Sequence, residues 1–208
     1  MLTAVEVFVA LSILWAAVSL LVQVVAAWGG GRKDYSRPAG SPIRATLYNF
    51  TVAMTPAHKE SIRLHPMKFA AGVVMHSGAL IALLGAMLLL VWPAAGLEIM
   101  SLLRPLAAIA LLAGLYLLVR RFTDANLKVV SAADDYLAIL ATCGLLLLAC
   151  VYRIDADNQT VFLIYTGGLF IYLPLGKLRH AVFFFVARGD YGRRLGYRGV
   201  YPPAASME

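Results

Sequence analysis

Long apolar runs with almost no charge are the feature that most limits what this chain can fold into. The 208 residues contain five of them, at residues 5–28, 69–92, 99–119, 136–152 and 160–187. About 20 consecutive apolar residues are enough for a helix to cross the hydrocarbon core of a bilayer. Because 61% of the residues are apolar and only 14% are charged, the composition excludes a soluble domain, in which about 25% of the residues are charged. The sequence therefore predicts an all-α integral membrane bundle of five transmembrane helices, forming a single domain over residues 1–208.

The positions of the basic residues predict how this bundle is oriented. All Lys and Arg residues except Arg104 and Arg153 lie in three segments: the first loop with the start of the second run, the connection between the third and fourth runs, and the residues from Lys177 onward. Since Lys and Arg accumulate in cytoplasmic loops, we expect the N-terminus outside the cell and the C-terminus in the cytoplasm. The loop 29–66 and the basic tail 188–208 would then be cytoplasmic, in a multi-pass protein of the cell inner membrane. This topology accounts for the net charge of +7, so we expect membrane lipid and no nucleic acid as a partner.

Two histidines inside the apolar runs, His76 and His180, are the main functional candidates. Each lies about seven residues from the cytoplasmic end of its run, roughly 10 Å at about 1.5 Å per residue, so antiparallel helices would hold both at one depth. An ionisable side chain at such depth is costly and indicates a functional site, although an interhelical hydrogen bond also accounts for a single buried histidine. Two imidazoles on facing helices can bind haem iron from both sides, whereas zinc needs three or four ligands. We therefore predict His76 and His180 as the two metal ligands of a haem iron.

Four further residues are candidate contacts of this cofactor. Gly72 and Gly176 each precede a candidate ligand by four residues and would leave room on its helical face, although glycine also serves helix packing in membranes. Lys177 and Arg179 lie towards the cytoplasm and could pair with haem propionates, or they could simply anchor the helix end at the interface.

A third histidine, His65, lies 11 residues before His76 and should share its helical face about 16 Å lower. We expect a surface or propionate role for it. The alternatives are that it binds a second haem or that it lines a quinone or proton site.

Three stretches of the sequence resemble a known family. They are VMHSGALIALLGAM at residues 74–87, LLVRRFTDANLKVVSAADDYLAIL at 117–140 and LPLGKLRHAVFFFVAR at 173–188. Together they resemble the gamma subunit of respiratory nitrate reductase, a five-helix b-type cytochrome, and its sulfite-reductase-linked and heterodisulfide-reductase-like relatives. The resemblance implies that His76 and His180 bind the haem nearest the cytoplasm. The ligand positions of that family's outer haem fall at or near Ala86 and Phe162, which cannot bind iron, so the resemblance implies one haem rather than two.

These observations predict an electron-transfer subunit with no catalytic residue of its own. Its haem b would pass electrons between a membrane quinone and an iron–sulfur or catalytic subunit on the cytoplasmic side of a respiratory oxidoreductase complex. One alternative is a haem-free anchor or assembly subunit in which the histidines are packing contacts. Another is a small transporter that uses them as a relay, although no intramembrane carboxylate supports it.

Overall fold

The computed structural model describes residues 3–29, 36–152 and 156–203, which are mostly helical. The α-helices in these ranges are, in chain order, α1 (Ala4–Gly29), α2 (Pro42–Phe50), α3 (Glu60–Leu64), α4 (Pro66–Val91), α5 (Pro93–Thr123), α6 (Ala125–Val130), α7 (Ala133–Val151), α8 (Ala156–Tyr172) and α9 (His180–Tyr197). Short 3-10 turns occur at Val52–Met54 and Lys177–Arg179, and the same ranges contain no strand. The prediction of an all-α fold is confirmed.

Within the described ranges, four helices are long and apolar enough to cross a membrane, namely α1, α4, α5 and α7. A fifth span results if α8 and α9, which are joined through a bend, are counted as one. The helices also expose many large apolar side chains, such as Leu11, Leu80 and Leu112, each about 60% exposed or more. Soluble monomers rarely expose so much contiguous apolar surface. The helices therefore indicate a multi-pass membrane protein whose outer surface suits lipid.

The first four spans lie close to their predicted positions, and prolines set two of their starts. Helices α4 and α5 begin at Pro66 and Pro93, a few residues before the predicted runs, because proline suits the first turn of a helix. The connection between α5 and α6 is held by Asp124, whose carboxylate accepts from the backbone N–H groups of Asn126 and Leu127. The hydrogen bond from Leu127 is the main cause that lowers the pKa of the Asp124 carboxyl.

The predicted fifth helix over residues 160–187 differs in the structure. Helix α8 ends at Tyr172, a turn follows, and α9 begins only at His180. Pro174 lies buried in this break. Proline has no N–H to continue the helical ladder and disfavours the helical conformation of the residue before it. Two helices joined through a bend therefore replace the continuous helix.

The residues group into two compact units. The first holds Met1–Ser19 and Met67–Leu178, and its apolar core joins α4, α5, α7 and α8. Glycines let these helices approach closely. A Cβ at Gly114 on α5, for example, would lie 2.8 Å from Sγ of Cys143 on α7. Close approach at small residues is the usual way in which membrane helices pack, and it gives Cys143 a packing role.

The second unit holds Leu20–Pro66 and Arg179–Glu208, and its centre is the pair of α2 and α9. Gly192 and Gly196, a Gly-x-x-x-Gly pair on α9, are both buried. A Cβ at Gly192 would lie 2.7 Å from the Cα of Thr46, so a side chain there would collide with the backbone of α2. The segment predicted as the loop 29–66 thus contains a helix packed against the end of the chain.

Polar contacts tie the same two helices together. Nδ2 of Asn49 donates to the carbonyl of Arg188 at 2.7 Å, and Nη2 of Arg188 donates to Oδ1 of Asn49 at 2.9 Å. Asn49 is buried, so these hydrogen bonds satisfy an amide that would otherwise be costly to bury.

Candidate functional site

His76 lies on an exposed position of α4, and one of its ring nitrogens is fixed by the backbone. Nδ1 lies 2.6 Å from the carbonyl oxygen of Gly72, one turn earlier. Because a carbonyl only accepts hydrogen bonds, Nδ1 carries the proton, and the lone pair of the neutral ring belongs to Nε2. A metal-bound histidine usually has this arrangement, with one nitrogen donating to the protein and the other facing the metal. The donor chemistry of His76 therefore fits an iron ligand.

The helix surface at Gly72 is open. A Cβ built there would meet no heavy atom within 4 Å. Gly72 and His76 are separated by one helical turn and thus share a face of α4. No protein atom therefore crowds this face next to Gly72, as a cofactor beside the imidazole would require.

His180 is the first residue of α9 and is exposed. It belongs to the second unit and His76 to the first, so the facing pair predicted from the sequence stays a prediction. Gly176 differs from its expected place because it lies in the break between α8 and α9 rather than on a helix with His180. The ring of Tyr172 already occupies the space beside it. Gly176 is therefore part of the bend, and its contact with a haem stays a prediction.

Lys177 takes part in an ion-paired network of the first unit. Its Nζ donates to Oδ2 of Asp135 at 2.5 Å, and its backbone N–H donates to Oδ2 of Asp134 at 2.7 Å. The hydroxyl of Tyr172 donates to the other oxygen of Asp134, and Nη1 of Arg121 lies 3.3 Å from Oδ1 of Asp135. Two acids at the start of α7 thus hold the break that leads into α9. The ammonium of Lys177 is thus paired with Asp135, and its predicted contact with a haem propionate stays a prediction.

The remaining two predicted contacts, Arg179 and His65, are both exposed residues of the second unit. Arg179 is the residue before α9 and makes no side-chain cap there. His65 follows α3, and its N–H donates to the carbonyl of Ile62. Since α4 starts only at Pro66, His65 does not share a helical face with His76 as the spacing had suggested. Its exposure is compatible with the surface role.

Ala86 and Phe162, the positions at which the resemblance places the outer haem ligands, are part of one apolar core in the first unit. Each is about 1% exposed, and the ring of Phe162 packs edge-on against Tyr152 with centroids 5.5 Å apart. Apolar side chains therefore fill this region.

Comparisons of the chain with models of protein families, with curated proteins and with solved structures found no match. Within the described residues, no three His, Cys, Asp or Glu side chains converge as a metal site would require. The family resemblance thus stays an expectation from the three sequence motifs.

Sequence reasoning missed two features that shape these surroundings. The α2–α9 pair had a visible signal in the Gly-x-x-x-Gly spacing of Gly192 and Gly196. The pairing of Asp134 and Asp135 with Lys177 joins residues about 40 positions apart and had no local signal.

Proposed function

We propose that this chain is a haem b-containing membrane subunit that transfers electrons between the quinone pool and a partner redox subunit of a respiratory oxidoreductase complex. Haem, when bound, supplies reversible one-electron exchange at iron. In this proposal His76 and His180 are its two ligands. The chain's part is to orient these imidazoles and to surround them with apolar helices.

The observation that carries the proposal is the hydrogen bond from Nδ1 of His76 to the carbonyl of Gly72. It orients the imidazole and assigns the lone pair to Nε2 on an exposed face of a candidate membrane helix. The open surface at Gly72 agrees with this proposal, because it leaves space on the helix face that carries the imidazole.

We further propose one haem per chain. The apolar core at Ala86 and Phe162 supports this number, since neither side chain can bind iron and both are buried. His65 would then act at the surface rather than as a ligand.

The proposal places the N-terminus outside and the cytoplasmic partner on the face that carries the basic residues. Arg37, Arg44, Lys59 and Arg63 all lie in the segment between α1 and α4, in agreement with a cytoplasmic location. An iron–sulfur or catalytic subunit would dock on this face. The membrane is the cell inner membrane, where the quinone pool of a respiratory chain is found.

An absorption spectrum of the protein purified from haem-replete cells tests this function. We expect a Soret band, a b-type α-band on dithionite reduction, and one haem per chain by pyridine haemochromogen. His76→Ala and His180→Ala should each lose the haem. His58→Ala is the matched control and should keep it, because His58 contacts Tyr48 and Thr55 at the surface. A colourless wild-type protein, or haem retained in both ligand variants, would contradict the proposal.

The alternative is a haem-free anchor or assembly subunit of a larger complex, and the α2–α9 pair is the observation that favours it. This pair joins two distant parts of the chain into one body, which could dock a partner without any cofactor. A colourless protein that still co-purifies with redox subunits would support the anchor over the cytochrome.

A further inference from the structure

The second unit contains a groove of about 640 Å³ between the last turn of α1 and the helix α9. Trp28, Phe183 and Val186 form part of its apolar wall, and Asp190, Arg193 and Arg194 form its charged end. The volume lies within the range of about 300–1,000 Å³ that is typical of small-molecule sites. One end of this groove therefore suits hydrocarbon and the other suits a charged group.

At the charged end of the groove, the carboxylate of Asp190 orients both arginine side chains. Oδ1 of Asp190 accepts from Nη2 of Arg193 at 2.9 Å, and Oδ2 accepts from Nε of Arg194 at 2.8 Å. Two guanidinium groups against one carboxylate leave a net positive charge. Each guanidinium has five N–H donors, of which these contacts use one, so the pair retains donors for an anion. A planar guanidinium group is well suited to bind the oxygens of a phosphate.

The position of the groove indicates where its ligand comes from. Helix α1 is a candidate membrane span that ends at Gly29, and Trp28 in its last turn is 63% exposed. Tryptophan at the end of a span marks the boundary between hydrocarbon and headgroups. The apolar wall therefore begins at the depth of acyl chains, and the arginines carry positive charge at the same end of the span.

We propose that this groove binds an anionic phospholipid. Its phosphate would bind Arg193 and Arg194, and the part of its acyl chain nearest the headgroup would lie along Trp28 and Phe183. Basic pockets beside membrane helices bind anionic headgroups in this manner. The site does not depend on haem binding, so its test and that of the proposed function are separate.

Quenching of Trp28 fluorescence by brominated lipid tests the site directly. The full-length protein is placed in phosphatidylcholine nanodiscs that contain a small fraction of brominated phosphatidylglycerol, and the difference between wild type and Trp28→Phe isolates the signal of Trp28. We expect saturable quenching by brominated phosphatidylglycerol and much weaker quenching by brominated phosphatidylcholine at the same fraction. Equal quenching by the two lipids would overturn the proposal. So would full competition by inorganic phosphate at millimolar concentration, which would assign the arginines to a free anion.

Charge variants distinguish binding of phosphatidylglycerol in the groove from nonspecific electrostatic attraction of anionic lipid to the protein. Arg193→Gln/Arg194→Gln should weaken phosphatidylglycerol binding at least about tenfold. Arg37→Gln/Lys128→Gln is the matched control, because it removes the same charge at two exposed residues outside the groove and should change binding less than about twofold.

Asp190→Asn provides the sharpest comparison. It raises the local positive charge by one but removes the carboxylate that orients both guanidinium groups. If binding depends on the orientation of the two guanidinium groups, this variant should bind phosphatidylglycerol more weakly. Unchanged or tighter binding would show that only net charge matters and would overturn the proposal.

Discussion

At the scale of single residues, the local surroundings of His76 carry most of the functional argument. Its ring is oriented by a backbone carbonyl one helical turn away, and the surface at Gly72 is open. Both features are local to α4 and do not depend on how the two units are arranged. The surroundings of Lys177 were harder to foresee, because its partner Asp135 lies 42 positions away in the sequence. Gly176 has the ring of Tyr172 beside it because α8 ends at Tyr172 and the chain bends there.

Gly72→Leu should reduce haem content without disturbing the fold. The open surface at Gly72 accommodates a side chain, and leucine favours a helix over glycine, so stability should be equal or greater. In our proposal that side chain occupies the face beside His76, and the haem-to-protein ratio should fall by more than half.

Gly168→Leu is the matched control for this substitution. Gly168 also has no heavy atom within 4 Å of a built Cβ, but it lies on α8 away from the candidate ligands in sequence. Its haem-to-protein ratio should equal that of the wild type. The same ratio in both variants would argue against a cofactor on the Gly72 face.

At the scale of elements, the α2–α9 pair and the break before α9 are the main findings. Two glycines and a buried asparagine join α2 to α9. In the other unit, the start of α7 holds the residues between α8 and α9 through Asp134 and Asp135. Each contact joins segments that are far apart in sequence, so each element is placed by tertiary contacts as much as by its own propensity.

Gly192→Ala should destabilise the α2–α9 pair, whereas Gly189→Ala on the same helix should not. A Cβ at Gly192 would meet the backbone of Thr46, while a Cβ at Gly189 meets nothing within 4 Å. Overpacking of this kind costs about 1–3 kcal/mol, and alanine in an open helical position gains up to about 1 kcal/mol over glycine.

Limited proteolysis between residues 36 and 66, together with thermal unfolding in detergent, measures this difference. We expect faster cleavage and a lower unfolding temperature for Gly192→Ala only. Equal behaviour of the two variants would show that α2 does not depend on this contact.

At the scale of the whole molecule, the number and direction of the membrane crossings decide what each side of the protein can bind. The helices α1, α4, α5 and α7 qualify as spans on their own, and α8 with α9 qualifies only as a bent pair. If that pair crosses, five spans separate the two ends of the chain. If it folds back, both ends lie on one side.

Reporter fusions distinguish these topologies. Green fluorescent protein is active only in the cytoplasm and alkaline phosphatase only outside it, so we expect fluorescence for fusions after Asp124 and Pro203 and phosphatase activity for fusions after Trp92 and Tyr152. Fusions after Tyr152 and Pro203 that report the same side would contradict a crossing by α8 and α9.

Much of this protein can be predicted from its sequence alone, for a clear physical reason. In hydrocarbon, backbone polar groups must be satisfied within the segment, so a long apolar run with almost no charge, such as residues 5–28 or 69–92, is helical whatever its neighbours are. The all-α class, the first four spans and His76 within α4 follow from such local rules. The run over 160–187 contains Pro174, which predicts a kink, but apolar length does not predict the complete break that the structure shows there.

Tertiary structure decided what each polar side chain contacts. Composition could identify Lys177, Asp134 and Asp135 as charged residues at helix ends, but only the packing of α7 against the bend pairs them. In the same way, Arg193 and Arg194 are merely part of a basic tail in the sequence, whereas the structure orients them on Asp190 beside Trp28. Hydrophobic length is a local property that the chain specifies by itself, whereas contacts between distant polar groups exist only once the helices have packed.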